Sequence, residues 1–168
     1  MKIGAVVNND LANGPGIRTS IFVSGCPHHC SECHNQELWD FNVGVKLTDA
    51  VIEKINDAIA ADGINRGVSI LGGEPLSVEN MPGVLYLITK IKERFPDINI
   101  WLWSGYTYDV LSVSNSPYVA KILKKIDTLV DGPFVKELRA GNHPWRGSSN
   151  QKIYTKNSNG IFVEVEDK

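Results

Sequence analysis

Hydrophobic residues along this chain follow two different spacings. Apolar residues at 47, 51, 55 and 58–59 recur at helical intervals, and Thr48 and Gly63 are suited to the two ends of that helix. The same spacing predicts two further helices, at 84–95 and at about 117–125. Short apolar runs separate these stretches and are typical of buried strands, at residues 21–23, 68–71, 98–103 and 127–130.

Strand and helix therefore alternate. This order predicts an α/β fold of right-handed βαβ units around a parallel sheet. A chain of 168 residues is too short for a complete eight-unit barrel, which favours an open partial (β/α) barrel. Loops that follow parallel strands meet at one edge of the sheet, so we expect a single site there. Those loops are residues 26–33, 72–75, 104–106 and 131–134.

The last part of the chain does not continue this alternation of strands and helices. It is loop-like beyond Gly141, with two possible strands at 151–155 and 161–165. We expect a single domain over residues 1–152 and a C-terminal tail at 153–168 to which the sequence assigns no role.

Composition narrows the classes of function. The chain has 17 Lys and Arg against 19 Asp and Glu, a formal charge of −2, so no broad basic surface for nucleic acid is expected. No stretch reaches the roughly 18 apolar residues that span a bilayer, and the opening MKIGAVVNND lacks the long apolar core of a signal peptide. We therefore expect a soluble, cytoplasmic protein without a membrane or nucleic-acid partner.

All three cysteines lie in one segment, CPHHCSECHN at 26–35. An odd number of thiols argues against a disulfide framework, and the C-x3-C-x2-C spacing of Cys26, Cys30 and Cys33 lets one loop surround a single centre. An ordinary [4Fe–4S] cluster takes four cysteines, so three would leave one iron open to another ligand. A structural zinc site remains the alternative, with a fourth ligand from His28, His29, His34 or His143.

Other motifs place the cysteines in context. C-x3-C-x2-C directly after a first strand is the signature of the radical S-adenosylmethionine (SAM) enzymes, and this chain resembles them. GGEP is shared across that superfamily, and GPGIR is typical of activases for glycyl-radical enzymes. LVDGPF and WRGSSNQ are more specific, and from about residue 13 to 151 the chain is similar to the activating proteins of anaerobic ribonucleoside-triphosphate reductase.

The resemblance implies a cofactor chemistry and two partners. Cys26, Cys30 and Cys33 would ligate three irons of a [4Fe–4S] cluster, and the fourth iron would take the amino and carboxylate groups of SAM. Reductive cleavage of SAM would give methionine and a 5′-deoxyadenosyl radical, which removes hydrogen from one glycine of the reductase. The resemblance thus implies a radical SAM oxidoreductase with a barrel of the radical SAM type. Its partners would be the reductase and a low-potential electron donor such as flavodoxin.

The GGEP motif has a predicted role in the SAM site. Gly72 and Gly73 would let the backbone approach the ligand and donate N–H groups, and Glu74 would accept a hydrogen bond from the methionine ammonium. A plain strand-to-helix turn is the alternative interpretation of the two glycines.

Further SAM contacts are expected from loop positions. In many superfamily members an aromatic residue that packs on adenine precedes the third cysteine, whereas Glu32 stands here. Adenine would then contact the backbone of Glu32 and Cys33 or the side chain of His34. Ser104 and Asp131, at strand exits, are candidates for the sugar or the carboxyl end of SAM.

Several other residues invite simpler interpretations. His28 and His29 are expected to be solvated loop residues, and Arg18 is expected to be structural, through a pair with an acid. Trp101 and Trp103 share one face of a strand, where at least one should pack in the core. Two alternative functions stay open: activation of another glycyl-radical enzyme, and a non-catalytic zinc-binding interaction module.

Overall fold

The computed structural model describes residues 1–139, 141 and 144–165. The strands are β1 (Lys2–Asp10), β2 (Arg18–Val23), β3 (Val45–Lys46), β4 (Gly67–Gly72), β5 (Ile100–Trp103), β6 (Thr128–Asp131), β7 (Lys152–Lys156) and β8 (Phe162–Glu164). The helices are α1 (Asp49–Ala60), α2 (Met81–Arg94), α3 (Tyr108–Ser112) and α4 (Pro117–Lys125). The strands form one sheet in the order β3-β1-β2-β4-β5-β6-β7-β8.

The predicted α/β class is confirmed, but the sheet is mixed. The central strands β2, β4, β5 and β6 are parallel neighbours, joined by helical crossovers as the alternation predicts. The flanking strands β1, β3, β7 and β8 pair antiparallel, so the prediction of a parallel sheet is wrong at both ends. The connections explain this difference, because a parallel pair needs a crossover. A short turn joins β1 to β2, and the described residues between β6 and β7 contain no α-helix.

The strand β1 was not predicted from the sequence. Of its residues only Ile3 and Asp10 are buried, and Val6 and Val7 are exposed. The segment therefore lacks both the strict alternation and the continuous apolar run by which strands are recognised. Its backbone pairing with β2 and β3 makes it a strand.

The two possible strands near the C-terminus are present as β7 and β8, and they extend the sheet. The predicted end of the domain at residue 152 falls inside β7, which pairs with β6 from Thr128↔Thr155 to Asp131↔Lys152. Ile153 and Tyr154 are buried, and β8 pairs with β7. Residues 153–165 thus continue the same sheet and contribute to its core.

The helices α1, α2 and α4 share one hydrophobic core with the sheet. Thr48 begins α1 as predicted, and its hydroxyl accepts the backbone N–H of Val51 at 3.3 Å. Gly63 has a positive φ of 65° in the turn that follows the helix. Strand residues such as Ile70 and Leu102 face these helices, so their neighbours in sequence face the opposite side of the sheet. Within the described residues no helix is both long and apolar enough to cross a membrane.

A buried guanidinium joins the first residue of β2 to the neighbouring strand β4 and to the segment before β5. Arg18 is 2% exposed and donates to Ser69 Oγ at 2.6 Å, to the Val68 carbonyl at 2.6 Å and to Asn99 Oδ1 at 3.1 Å. A Cβ on Gly14 would lie 2.8 Å from the Arg18 side chain, which explains a glycine of the GPGIR motif.

The predicted acid partner of Arg18 is not found. Its hydrogen-bond acceptors among the described residues are carbonyl, hydroxyl and amide oxygens, and no carboxylate accepts from it. Burial therefore lowers the pKa of Arg18 to about 10, because the nearest carboxylates act only at a distance. The role of Arg18 is structural.

We predict that Arg18→Leu lowers the free energy of unfolding by about 3 kcal/mol, since it leaves several buried oxygens without a donor. The matched control is Arg94→Leu. Arg94 has a 40% exposed side chain and ion pairs with Glu53 and Asp57, and its loss should cost less than about 1 kcal/mol. Urea unfolding of both variants measures the difference, and equal losses would contradict the role given to Arg18.

Candidate functional site

A cavity of about 510 Å³ opens at the carboxyl ends of the parallel strands, as the loop positions predict. Eight of the predicted site residues line it: Cys26, Cys30, Cys33, His34, Gly72, Gly73, Glu74 and Ser104. Eight of the ten predicted residues therefore meet at one cavity, whereas Glu32 and Asp131 lie outside its lining.

The cysteine loop turns through two residues with unusual backbone angles. His29 has a φ of 48° and Glu32 a φ of 55°, one within each interval between cysteines. Such left-handed residues reverse the chain direction locally, which keeps Cys26, Cys30 and Cys33 at one cavity. Among the described residues no three His, Cys, Asp or Glu side chains are placed to hold a single metal ion.

All three thiols are partly buried. Burial raises the pKa of the Cys26 thiol and of the Cys30 thiol, because it disfavours the charged thiolate. In the absence of metal these two groups therefore hold their protons at neutral pH, and binding of a metal centre must release them.

The two glycines of GGEP bring their loop into contact with the cysteine loop. A Cβ on Gly73 would lie 2.5 Å from the carbonyl oxygen of Gly25, a distance that no side chain tolerates. The N–H of Gly73 donates to the Val23 carbonyl at 2.7 Å, and the N–H of Glu74 donates to that of Gly25 at 2.8 Å. The Gly73 N–H is therefore already donated to the last residue of β2, and a ligand could accept it only in place of that bond.

The Glu74 carboxylate is 1% exposed and accepts four hydrogen bonds from the chain itself. Its Oε1 accepts from Ser104 Oγ at 2.9 Å and from the Leu76 N–H at 2.8 Å. Its Oε2 accepts from the Gly105 N–H at 2.7 Å and lies 2.9 Å from His28 Nε2. A carboxylate has about four acceptor positions, so a ligand ammonium could bind Glu74 only by replacing one of these donors.

Two asparagine side chains join the same loops. Asn80 is buried, and its Nδ2 donates to the carbonyl oxygens of Ser24 at 2.9 Å and Glu74 at 3.0 Å. Asn35 Nδ2 donates to the Gly72 carbonyl at 3.2 Å. Neither residue was predicted, and only the position of Asn35 at the end of the cysteine segment offered a signal.

The prediction for His28 is wrong. Its side chain is 19% exposed and contacts Glu74, and its ring stands edge-on to Tyr106 with centroids 4.5 Å apart. A Cβ on Gly105 would lie 2.5 Å from this ring. His29 is exposed as predicted and stacks on Trp39 at 4.7 Å. His143 lies outside the described residues.

Glu32 and Asp131 make their contacts elsewhere. Glu32 is exposed and pairs with Lys136, and this hydrogen bond lowers the pKa of the Glu32 carboxyl. Asp131 is buried, and its two oxygens accept the N–H groups of Tyr108 at 2.6 Å and Lys152 at 3.0 Å. Burial raises the pKa of the Asp131 carboxyl. Asp131 therefore connects the end of β6 to its neighbours.

The LVDGPF and WRGSSNQ motifs bind each other and form another wall of the cavity. Gln151 Oε1 accepts the Gly147 N–H at 2.7 Å, and Gln151 Nε2 donates to the Gly132 carbonyl at 2.8 Å. Asn150 Nδ2 donates to the Pro133 carbonyl at 2.8 Å. Two segments that are distant in sequence are thereby fixed as one unit.

Aromatic rings cover this wall. Trp101 is buried, which confirms the expected core packing, and it contacts Trp145 edge-on at 5.3 Å. Trp103 Nε1 donates to the Trp145 carbonyl at 2.8 Å, and both residues line the cavity. Phe134, which the sequence did not single out, lies 6.5 Å from His34 between ring centroids.

The donor set fits a cluster that has three protein ligands and one open iron. Three partly buried thiols line the cavity, and the sequence contains no fourth cysteine. The space beside the thiols is within the range of small-molecule sites and is bounded by aromatic and backbone surfaces, as a bound cofactor requires.

Comparison with known proteins agrees with this geometry. Residues 12–154 match the family described as 4Fe-4S single cluster domain. The chain is 39% identical to the anaerobic ribonucleoside-triphosphate reductase-activating protein of Escherichia coli K12 and 41% identical to that of Vibrio cholerae; each match covers 86% of this chain and 92% of the relative. The protein of that name from Enterobacteria phage T4 is 33% identical, over 91% of this chain and 92% of its own. The chain therefore belongs to the family of anaerobic ribonucleoside-triphosphate reductase-activating proteins.

Proposed function

We propose that this chain is a radical SAM activating enzyme. It holds one [4Fe–4S] cluster through Cys26, Cys30 and Cys33, binds SAM in the adjoining cavity and generates the glycyl radical of an anaerobic ribonucleoside-triphosphate reductase. The observation that carries the proposal is the single cavity at which the three thiols meet the GGEP loop. The 4Fe-4S family match supports the cluster, and the name shared by the relatives supports the reductase as partner.

When bound, the cluster and SAM supply a one-electron cleavage of SAM to methionine and a 5′-deoxyadenosyl radical, which takes a hydrogen atom from the glycine Cα. The residues of this chain bind and orient these groups. Gly72 and Gly73 allow close packing of the loops, and Ser104 and Glu74 fix the position of the next loop. An open partial barrel of the radical SAM type, a cytoplasmic location and a low-potential electron donor such as flavodoxin belong to the same proposal.

We assign the adenine of SAM to the aromatic surface of His34 and Phe134. Glu32, which stands where many superfamily members have an aromatic residue, turns to Lys136 on the surface. His34 and Phe134 both line the cavity. The Arg139 guanidinium lies 5.3 Å from the centroid of the Phe134 ring, and this contact helps to hold Phe134 in place. The LVDGPF motif thus replaces the aromatic residue that the cysteine loop lacks.

Replacement of Cys30 by Ala should abolish SAM cleavage, because it removes one ligand of the cluster. The protein is reconstituted anaerobically with iron and sulfide, reduced and mixed with SAM, and 5′-deoxyadenosine and methionine are measured. The reductase is then added, and its glycyl radical is detected by electron paramagnetic resonance. Ser31→Ala, an exposed change in the same loop, is the matched control and should keep full activity.

Three results would contradict the proposal. A wild-type protein that holds a full cluster but forms neither product, even with the reductase present, is not a radical SAM enzyme. A radical formed on another glycyl-radical enzyme but not on this reductase would establish the alternative target. Zinc at one atom per chain in the natively purified protein, without iron, would establish the zinc-binding module.

Phe134→Leu should weaken SAM binding by roughly tenfold, since it keeps an apolar side chain but removes the ring that stacks on adenine. Equilibrium binding of SAM to the reconstituted protein measures the effect. Phe162→Leu is the control, because Phe162 packs on Tyr108 away from the cavity and should leave the affinity unchanged. Equal affinities of the Phe134 variant and the wild type would exclude this adenine contact.

A further inference from the structure

One histidine at the cavity, His28, has no assigned contact with either the cluster or SAM. His28 lies inside the C-x3-C interval, yet its side chain is directed away from the turn and contacts the GGEP loop. The distance from His28 Nε2 to Glu74 Oε2 is 2.9 Å. A proton on Nε2 makes this a hydrogen bond to a buried carboxylate, and neutral imidazole can carry that proton.

The other donors to Glu74 come from different parts of the chain. Leu76 belongs to the GGEP loop itself, and Ser104 and Gly105 follow β5. Among the described residues, His28 is thus the one donor to this carboxylate that comes from the cysteine loop. It connects the segment that carries the thiols to the side chain on which the neighbouring loops converge.

The residues around the His28 ring hold it in contact with Glu74. Tyr106 holds the ring edge-on from one side, and the backbone at Gly105 approaches so closely that any side chain there would displace it. Among the described residues, the backbone hydrogen bonds from GGEP reach Val23 and Gly25, before the turn that bears Cys30. Beyond those bonds, two side chains of the cysteine segment contact GGEP: Asn35 at the Gly72 carbonyl, and His28 at the Glu74 carboxylate.

We propose that His28 is a positioning residue that fixes the distance between the cysteine loop and the GGEP loop. This inference rests on the proposed function, in which the cluster is carried by the first loop and SAM lies against the second. Because SAM must bind the open iron and the cavity wall together, a fixed separation of the loops determines how well both contacts form at once. His28 touches neither group in this role and acts through Glu74.

The test compares His28→Ala with His28→Gln. Gln places an N–H near the position of Nε2 and can still donate to Glu74, whereas Ala cannot. His29→Asn is the matched control: His29 is the adjacent histidine, is exposed, and has a φ of 48° that Asn tolerates. Each reconstituted protein is analysed for iron and sulfide, then reduced and titrated with SAM, while the cluster signal is followed by electron paramagnetic resonance.

We expect all four proteins to bind the same amount of iron and sulfide. SAM should bind His28→Ala roughly 10- to 100-fold more weakly, the range for a lost hydrogen bond to a charged group, and the spectral change on SAM binding should be altered. Affinity and spectrum should return close to the wild-type values in His28→Gln and stay unchanged in His29→Asn.

The failure of this inference can be distinguished from that of the proposed function. If the wild-type protein binds SAM and His28→Ala binds it equally well, His28 has no positioning role while the proposed function stands. Loss of the cluster itself in His28→Ala would also overturn the inference, because His28 would then act on cluster assembly. If the wild-type protein with a full cluster binds no SAM and gives no spectral change, the proposed function fails.

Discussion

The buried carboxylate of Glu74 is the constraint on which the arrangement of the site depends. A charge removed from water is tolerated only where donors replace its hydration. Four donors do so here, and they come from the cysteine loop, the GGEP loop and the loop after β5. The position of each loop is therefore fixed by the need to satisfy one side chain. If any one of these three loops moves away, the Glu74 carboxylate loses a hydrogen-bond donor. The positions of the three loops are therefore energetically coupled.

A second buried charge lies near the opposite end of the same strands. Strands β2 and β4 pair in register from Arg18↔Gly67 to Val23↔Gly72. At the first pair the Arg18 guanidinium contacts the backbone of β4 and its neighbours, and just beyond the last pair lies the loop of Glu74. The β4 residue is a glycine in both pairs. A side chain at Gly67 would collide with the Arg18 guanidinium, and one at Gly72 would collide with the backbone of β2. The pair of strands that positions the cysteine loop is thus held at both ends by polar contacts that allow little adjustment.

The sequence predicted what depends on neighbours along the chain and missed what depends on distant contacts. Helix periodicity, the N-cap at Thr48 and the loops after strands are local signals, and they placed eight site residues at one cavity. The strand β1 has no such pattern. Because β1 was not predicted, the sequence did not indicate that Ala12 and Asn13, in the turn after it, line the cavity.

The partner of His28 is 46 residues away in sequence, so no spacing rule could identify it. The contacts of Glu32 and Asp131 could not be predicted for the same reason, since their partners, Lys136, Tyr108 and Lys152, come from distant segments.

The two halves of the cavity differ in how specific their motifs are. The cysteine loop and GGEP, by which the sequence resembles the radical SAM enzymes, contact each other through backbone and through Glu74. LVDGPF and WRGSSNQ, by which the sequence resembles the activating proteins more narrowly, bind each other through Asn150 and Gln151 and form another wall with aromatic surface. Under the proposed function, chemistry common to many enzymes is assigned to the first half. The second half then has to shape the entrance for one glycine-bearing segment of the reductase. Because Gln151 fixes both motifs as one unit, a change in either motif alters the same wall, so the two are expected to vary together rather than separately.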